Sequence, residues 1–293
     1  MSTPIATRRS PPLQCVPQPH PRLTNLFADL FAAPAVALAP AFALSLMAGI
    51  TAVQAADLPV KAPVAPSYNW GGCYVGLNAG GGGAGSDFNS AVGNGTHLLP
   101  ADAALVSNSG TGSANATGFL GGGQAGCNWQ SGLIVYGLEG DFDYFHSQPS
   151  FSNNTNTLSD GVTPFAVTQT LTTDFLATVR PRIGVAADRN LAYITGGAAF
   201  THVSYAQGYV DGAVPPGAGS ATASKALVGW TIGAGWEHAW TNNWTFKLEY
   251  LFASFPTTNA FGSIADSAGG TNPLHGSADL VIQTVRAGVN FKF

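Results

Sequence analysis

Charge is what this sequence has least of. Only 9 % of its 293 residues are Asp, Glu, Lys or Arg, against about a quarter in an ordinary globular protein. A water-facing surface of that size would be hard to cover with so few. The net charge is -4, and no basic run is present to neutralise phosphates, which excludes nucleic acid as a partner. Beyond the N-terminal segment no stretch offers 18 consecutive apolar residues, which excludes membrane-crossing helices. Cysteine is nearly absent, at Cys15, Cys73 and Cys127. In GGCYVGLNAGGGGAG (71–85) Cys73 stands open as ligand, nucleophile, half of a disulfide or filler. What is abundant is glycine, at 37 residues.

The N-terminus reads as an export signal. Arg8, Arg9 and Arg22 precede AVALAPAFALSLMAGI (35–50), and Val53-Gln54-Ala55 fits a small-x-small cleavage site, the order of a secretory signal. The apolar run is short and carries a proline, unlike a spanning helix. Residues 1–55 are therefore expected to be removed. The segment ahead of the apolar run is long for a signal, so translation is expected to start downstream of Met1, although Arg8-Arg9 also suggest a weak twin-arginine signal. Residues 56–69, with DLPVKAPVAPSYN at their core, read as an extended proline-rich tether on the periplasmic side.

The rest alternates. In Leu133–Phe145 one parity holds Ile134, Tyr136, Leu138, Phe142 and Tyr144, and the other Glu139, Asp141 and Asp143. Successive strand side chains point to opposite faces, whereas a helix would mix the two sets. The same split recurs in Phe175–Val185, Leu191–Phe200, Leu227–His238, Trp244–Phe252 and 284–293, and Gly72–Gly81 and Gly118–Trp129 complete eight segments. In Leu191–Phe200, Ile194, Ala198 and Phe200 are assigned outward. A soluble sandwich also alternates, but here the aromatic face has no charges and the polar face carries them at mid-strand. An aromatic exterior suits lipid and its interfaces, and charges inside a barrel can pair. The segments predict an all-β fold, an eight-stranded antiparallel up-and-down transmembrane β-barrel over residues 70–293. Its short turns at 130–132, 186–190 and 239–243 and four long Ser/Thr/Asn-rich loops between them suit periplasmic and extracellular sides respectively. Pro181 removes a ladder donor and predicts a bulge or an unpaired amide.

The motifs NWGGCYVGLNAG (69–80), GFLGGGQAGCNWQ (118–130), YGLEGDFDY (136–144), TVRPRIG (178–184), YITGGAAF (193–200), VGWTIGAGWEHAWT (228–241), WTFKLEYLF (244–252) and VRAGVNFKF (285–293) together resemble the small outer-membrane porin-like, or outer-membrane immunogenic, proteins of Gram-negative bacteria, with an outer membrane protein A-type barrel. The resemblance covers residues 69–293 outside the long loops. It implies insertion by the barrel-assembly machinery through a terminal signal, here Phe291 and Phe293, and contact with outer-membrane lipid and lipopolysaccharide. The chain ends at its last strand, so no peptidoglycan-binding domain is expected.

The lumen of an eight-stranded barrel is just wide enough to be filled by side chains. Glu139, Asp141, Asp143, Glu237 and Glu249 against Arg180, Arg182, Lys247, Arg286 and Lys292 form the expected lumen network. It is either structural or a gate in a narrow conduit. The function expected is a structural and surface role in the envelope, with a narrow porin as alternative. A haemin-binding surface protein and a lipid A-modifying enzyme rank lower. His97, His146, His202 and His275 lack ligand spacing and read as solvated loop residues, so no metal or cofactor is expected. The adjacent pair His146-Ser147 specifies no catalytic geometry, and no catalytic residue is assigned.

Relatives of this type carry aromatics where Cys73 and Cys127 stand. Both residues have lipid-facing parity and sit near the same rim on consecutive antiparallel segments, where Cα atoms lie about 5 Å apart, within disulfide range. The alternatives are a cross-strand disulfide, favoured by an oxidising periplasm, and two independent small apolar residues.

Overall fold

The structure, a computed structural model, describes residues 68–293; the expected signal and nearly all of the proline-rich lead-in lie outside the described residues. The strands are β1 (Gly72–Val92), β2 (Gly112–Ser131), β3 (Ile134–Ser147), β4 (Ser150–Thr157), β5 (Pro164–Ala187), β6 (Asn190–Asp211), β7 (Gly217–Ala239), β8 (Trp244–Asp266) and β9 (Thr271–Lys292), with one helix, α1 (Pro100–Ser109), between β1 and β2. Each pairs antiparallel with its neighbour in the chain, except that β3 skips β4 to pair with β5. The pairing of β1 with β9 closes the ring. The barrel has eight staves, because β4 continues β3 along the same edge of β5 in the same register after a break at Gln148 and Pro149.

At the end carrying both ends of the described chain the turns are tight. Gly132 (φ 60°) and Asp188 (φ 51°) adopt the left-handed conformation that two-residue hairpins need to match strand twist.

The far end differs from the expectation of four long loops. The barrel strands run to 24 residues in β5 and 23 in β7 and β8, about twice what a bilayer crossing needs. Most of the Ser/Thr/Asn-rich sequence between the alternating segments is strand. Only 212–216 and 267–270 are left as connections between β6 and β7 and between β8 and β9.

Sequence alternation continues through this extension with its chemistry exchanged. Near the terminal end Leu77, Phe119, Tyr136, Val179 and Ile232 face outward and are exposed, while Asp141, Arg180 and Lys247 are buried. Towards the far end Val167, Leu171, Val203, Tyr205 and Ile264 are buried inside, and Thr168, Ser204, Thr222 and Asn259 face out. The first half is built for lipid outside and polar contacts inside. The second is built like a soluble barrel, with an apolar core and a hydroxyl-rich exterior. Register shifts mark the change on four strands, at Tyr144/Ser147, Thr173/Ala177, Ala221/Trp230 and Phe255/Thr258. Irregularities of this kind re-aim side chains without ending the strand.

Pro181 makes no register shift. It pairs with Leu138 on one side, while the β5–β6 ladder is interrupted at Arg180 and Pro181 and resumes in the same register at Arg182↔Thr195. The Thr195 hydroxyl donates to the Pro181 carbonyl at 2.9 Å across the gap.

Candidate functional site: a lumen filled at three levels

At mid-height, five carboxylates and four cations meet with almost no exposure. Arg180 Nη2 donates to Glu139 Oε1 at 2.9 Å, to Asp141 Oδ2 at 2.7 Å and to Glu249 Oε2 at 3.2 Å. Arg286 reaches Glu249 Oε2 from Nη2 at 2.6 Å and from Nε at 2.8 Å, and also bonds Asp141 and Asp143. Lys247 Nζ donates to Glu139 Oε1 at 2.8 Å, and Arg182 Nη1 to Glu237 Oε2 at 3.1 Å. The guanidinium of Arg182 lies 5.0 Å from the ring centres of both Tyr74 and Tyr193, whose hydroxyls donate to Glu139 and Glu249. These groups come from β1, β3, β5, β6, β7, β8 and β9, so the network cross-braces the ring. Desolvation of each charge is costly, and removal of one partner leaves the others buried and unpaired.

Lys292 is placed elsewhere. It sits at the terminal rim, donates from Nζ to the Asn69 carbonyl and lies 4.5 Å from the Tyr68 ring centre; no carboxylate bonds it among the described residues. Its strand is the last, and the lumen at that height is already occupied by aromatic rings.

Those rings form a plug that the sequence reading missed. Trp70, 1 % exposed, packs with Tyr68, Val135, Ala186, Leu191, Tyr193 and Ala239. Its indole N–H donates to the Asp188 carbonyl at 3.1 Å and its backbone N–H to Gln130 Oε1. The signal available was parity, since Trp70 shares that of Tyr74 and Asn78, the inward face.

The far end closes in turn with an apolar core. Phe88, Val167, Leu171, Val203, Tyr205, Tyr209 and Ile282 fill the ring, and Leu98, Ala103 and Val106 enter from the 93–111 strap that carries α1. Pro100 at the helix start fits a position where no N–H is needed, and Asp102 accepts the Ser159 N–H at 2.7 Å. The charge network thus occupies the middle of the lumen, between two apolar closures.

On the lipid face Cys73 is register partner to Cys127. Their sulfurs stand 2.08 Å apart, with Cα atoms at 4.0 Å, at the terminal end of β1 and β2. Phe291 packs edge-on against Trp244 at 5.1 Å, and Phe293 is exposed at the same rim.

The histidines divide. His146 and Ser147 point to opposite faces of β3. His146 is exposed and bonds Asp174 at 2.9 Å, while Ser147 is buried. His202 Nε2 meets Ser224 Oγ at 3.2 Å on the exterior, with no carboxylate bonded to that imidazole among the described residues. His275 stacks on Phe261 at 4.6 Å. His97 departs from the expectation of a solvated loop residue. Its side chain is 5 % exposed, held between Asp211 and Asp266.

A closed ring of eight antiparallel strands, coated with apolar side chains around a braced polar interior, defines a membrane β-barrel of the outer-membrane type. The chain belongs to the outer membrane protein beta-barrel domain family, whose model matches residues 41–293. It is similar to the 31 kDa outer-membrane immunogenic protein of Brucella melitensis biotype 1, at 34 % identity over 258 residues, which cover 87 % of this chain and 97 % of that one. A 25 kDa outer-membrane immunogenic protein of Brucella abortus is 31 % identical over 237 residues, covering 80 % and 85 %. Among solved structures it is similar to the outer membrane protein OprG from Pseudomonas aeruginosa, with 10 % identity, a TM-score of 0.38 and coverage of 77 % of this chain and 99 % of that one. Ail, the attachment invasion locus protein of Yersinia pestis, gives 12 % identity, a TM-score of 0.31 and coverage of 76 % and 99 %. The protein is an outer-membrane β-barrel protein.

Proposed function

We propose that the barrel is a closed structural and surface element of the outer membrane, neither a diffusion pore nor a catalyst. The observation that carries this reading is the occupied lumen: aromatic plug, charge network and apolar core succeed one another along the axis. A narrow porin would require the network to exchange partners and both apolar closures to part. An enzyme would require a base, a nucleophile and an orienting acid within reach, and neither serine–histidine pair supplies all three. The Brucella relatives are named as immunogenic outer-membrane proteins, which supports a surface-exposed role here.

In this reading the terminal end is periplasmic and the far end extracellular. The apolar belt contacts membrane lipid and lipopolysaccharide, the hydroxyl-rich extension stands outside the membrane, and Phe291 and Phe293 are recognised by the assembly machinery. Short turns on one side and longer excursions on the other support this orientation.

An epitope inserted in the exposed 159–162 turn and another at Asn242 test it on intact cells. Antibody should label the first and reach the second only after permeabilisation. Labelling of the second alone on intact cells would invert the orientation.

A further inference from the structure

The far mouth is covered by the strap 93–111, which is held by backbone bonds from Gly93 and Thr96 to β9, by the Asn272 side chain, by Asp102 and by one buried imidazole. His97 Nε2 lies 2.7 Å from Asp211 Oδ2, beside the β6–β7 turn, and Nδ1 lies 2.7 Å from Asp266 Oδ2, beside the β8–β9 turn. Their side chains are 0 % and 9 % exposed. The site is fitted around the ring, since a Cβ at Gly217 would collide with Nε2. The other carboxylate oxygens are already engaged. Asp211 Oδ1 accepts the N–H groups of Ala213 and Gly217 at 3.0 and 2.9 Å, and Asp266 Oδ1 accepts those of Ala268 and Gly270 at 2.8 and 2.9 Å. Both aspartates are thereby held as acceptors; Asp266 Oδ2 has no donor but the imidazole among the described residues, while Asp211 Oδ2 also accepts the Tyr209 hydroxyl.

A neutral imidazole has one N–H and the imidazolium has two. Only the cation donates to both carboxylates at once. Deprotonation would leave an acceptor nitrogen facing a carboxylate oxygen at hydrogen-bond distance.

We propose that His97 is a proton-operated latch: as imidazolium it docks the strap on the far mouth, and loss of one proton undocks it. The docked strap inserts Leu98, Ala103 and Val106 into the apolar core, so release uncovers an apolar interior.

The groups around the latch set its range. Tyr209 on β6 donates to Asp211 Oδ2 at 2.8 Å, Asp102 on α1 is a further acid in the same region, and Asn272 on β9 accepts the His97 backbone N–H at 3.1 Å. β7 contributes the backbone of Gly217. No lysine or arginine bonds these carboxylates among the described residues. Burial pulls the His97 pKa down, but the hydrogen bonds and charges of Asp211 and Asp266 outweigh it and the net shift is upward from 6.5. Docking is therefore complete below the ordinary histidine range and lost as pH rises through the elevated value.

The test uses the full-length protein in detergent micelles, with two readouts. Nitrogen-15 NMR of the imidazole should show both His97 nitrogens protonated at about pH 6, with a midpoint above 6.5. Cleavage of the strap by a nonspecific protease, divided by the rate for His97→Gln at the same pH, removes the protease's own pH profile. That ratio should be about one-tenth at pH 6 and approach unity above the NMR midpoint, about 1.4 kcal/mol of protection. Should His97→Gln not fold, Asp266→Asn replaces it as reference. A midpoint at or below 6.5, or a ratio that does not change with pH, overturns the proposal.

Discussion

Arg286 and Glu249 face each other as register partners on β9 and β8, and two guanidinium nitrogens of Arg286 converge on one oxygen of Glu249, at 2.6 and 2.8 Å. The same arginine reaches Asp141 and Asp143 on β3 across the lumen. One side chain thus ties three carboxylates into a single unit.

Arg286→Ala should therefore destabilise the barrel by about 3–5 kcal/mol, because it strands buried carboxylates rather than because it deletes a favourable pair. Urea unfolding in lipid vesicles measures this. Arg286→Met combined with Glu249→Leu should recover part of the loss, and a double variant as unstable as the sum of its parts would argue against an interacting network.

The two-zone exterior predicts opposite responses on one strand. Val179→Arg on the apolar belt should cost about 2–4 kcal/mol, as cations do at the bilayer midplane. Thr170→Arg, also outward on β5 but beyond the register shift, should change stability by less than about 0.5 kcal/mol. Equal costs would mean that the whole barrel length is in lipid.

Cys73→Ser removes a cross-link spanning 54 residues. Chain entropy sets its worth at up to about 4 kcal/mol. Intact-mass measurement of protein isolated without reductant should show the wild type lighter by two hydrogens than its reduced form. An unchanged mass on reduction would identify two independent thiols.

Stability near the far mouth should depend on pH in both directions. Asp266 is lowered from the usual carboxylate value, first by the Gly270 N–H and also by His97. Burial raises Asp211, but the Gly217 N–H and His97 outweigh it and bring it down as well. Their contribution is present above the ordinary aspartate range and lost as pH falls through the lowered values, while that of His97 is lost as pH rises. The melting temperature of wild type minus that of His97→Gln should be largest in mildly acid solution and shrink on both sides. A difference rising monotonically to alkaline pH would contradict the sign.

The membrane half was legible because lipid and a narrow polar lumen impose opposite chemistry on alternate residues, as in Leu133–Phe145. β1 starts and β2 ends at the same rim, so parity and distance from that rim bring Cys73 and Cys127 to one level. The far half was hidden for a physical reason. Its interior mixes glutamines with apolar groups, as in Val167-Thr168-Gln169-Thr170-Leu171, and its exterior is Ser, Thr, Asn and Ala, which locally reads as loop. The helix α1 shows little apolar periodicity. The partners of His97 lie 114 and 169 residues away in sequence, a contact no local pattern encodes. Lys292 obeys the inward parity but stands where Tyr68 and Trp70 already fill the space, and parity alone is blind to that.

The central claim is that side chains close the barrel along its axis. Planar-bilayer recording of the purified, refolded protein tests it most directly. The account predicts no conductance steps above the bare membrane across neutral pH; reproducible steps of defined size from the wild-type protein would contradict it.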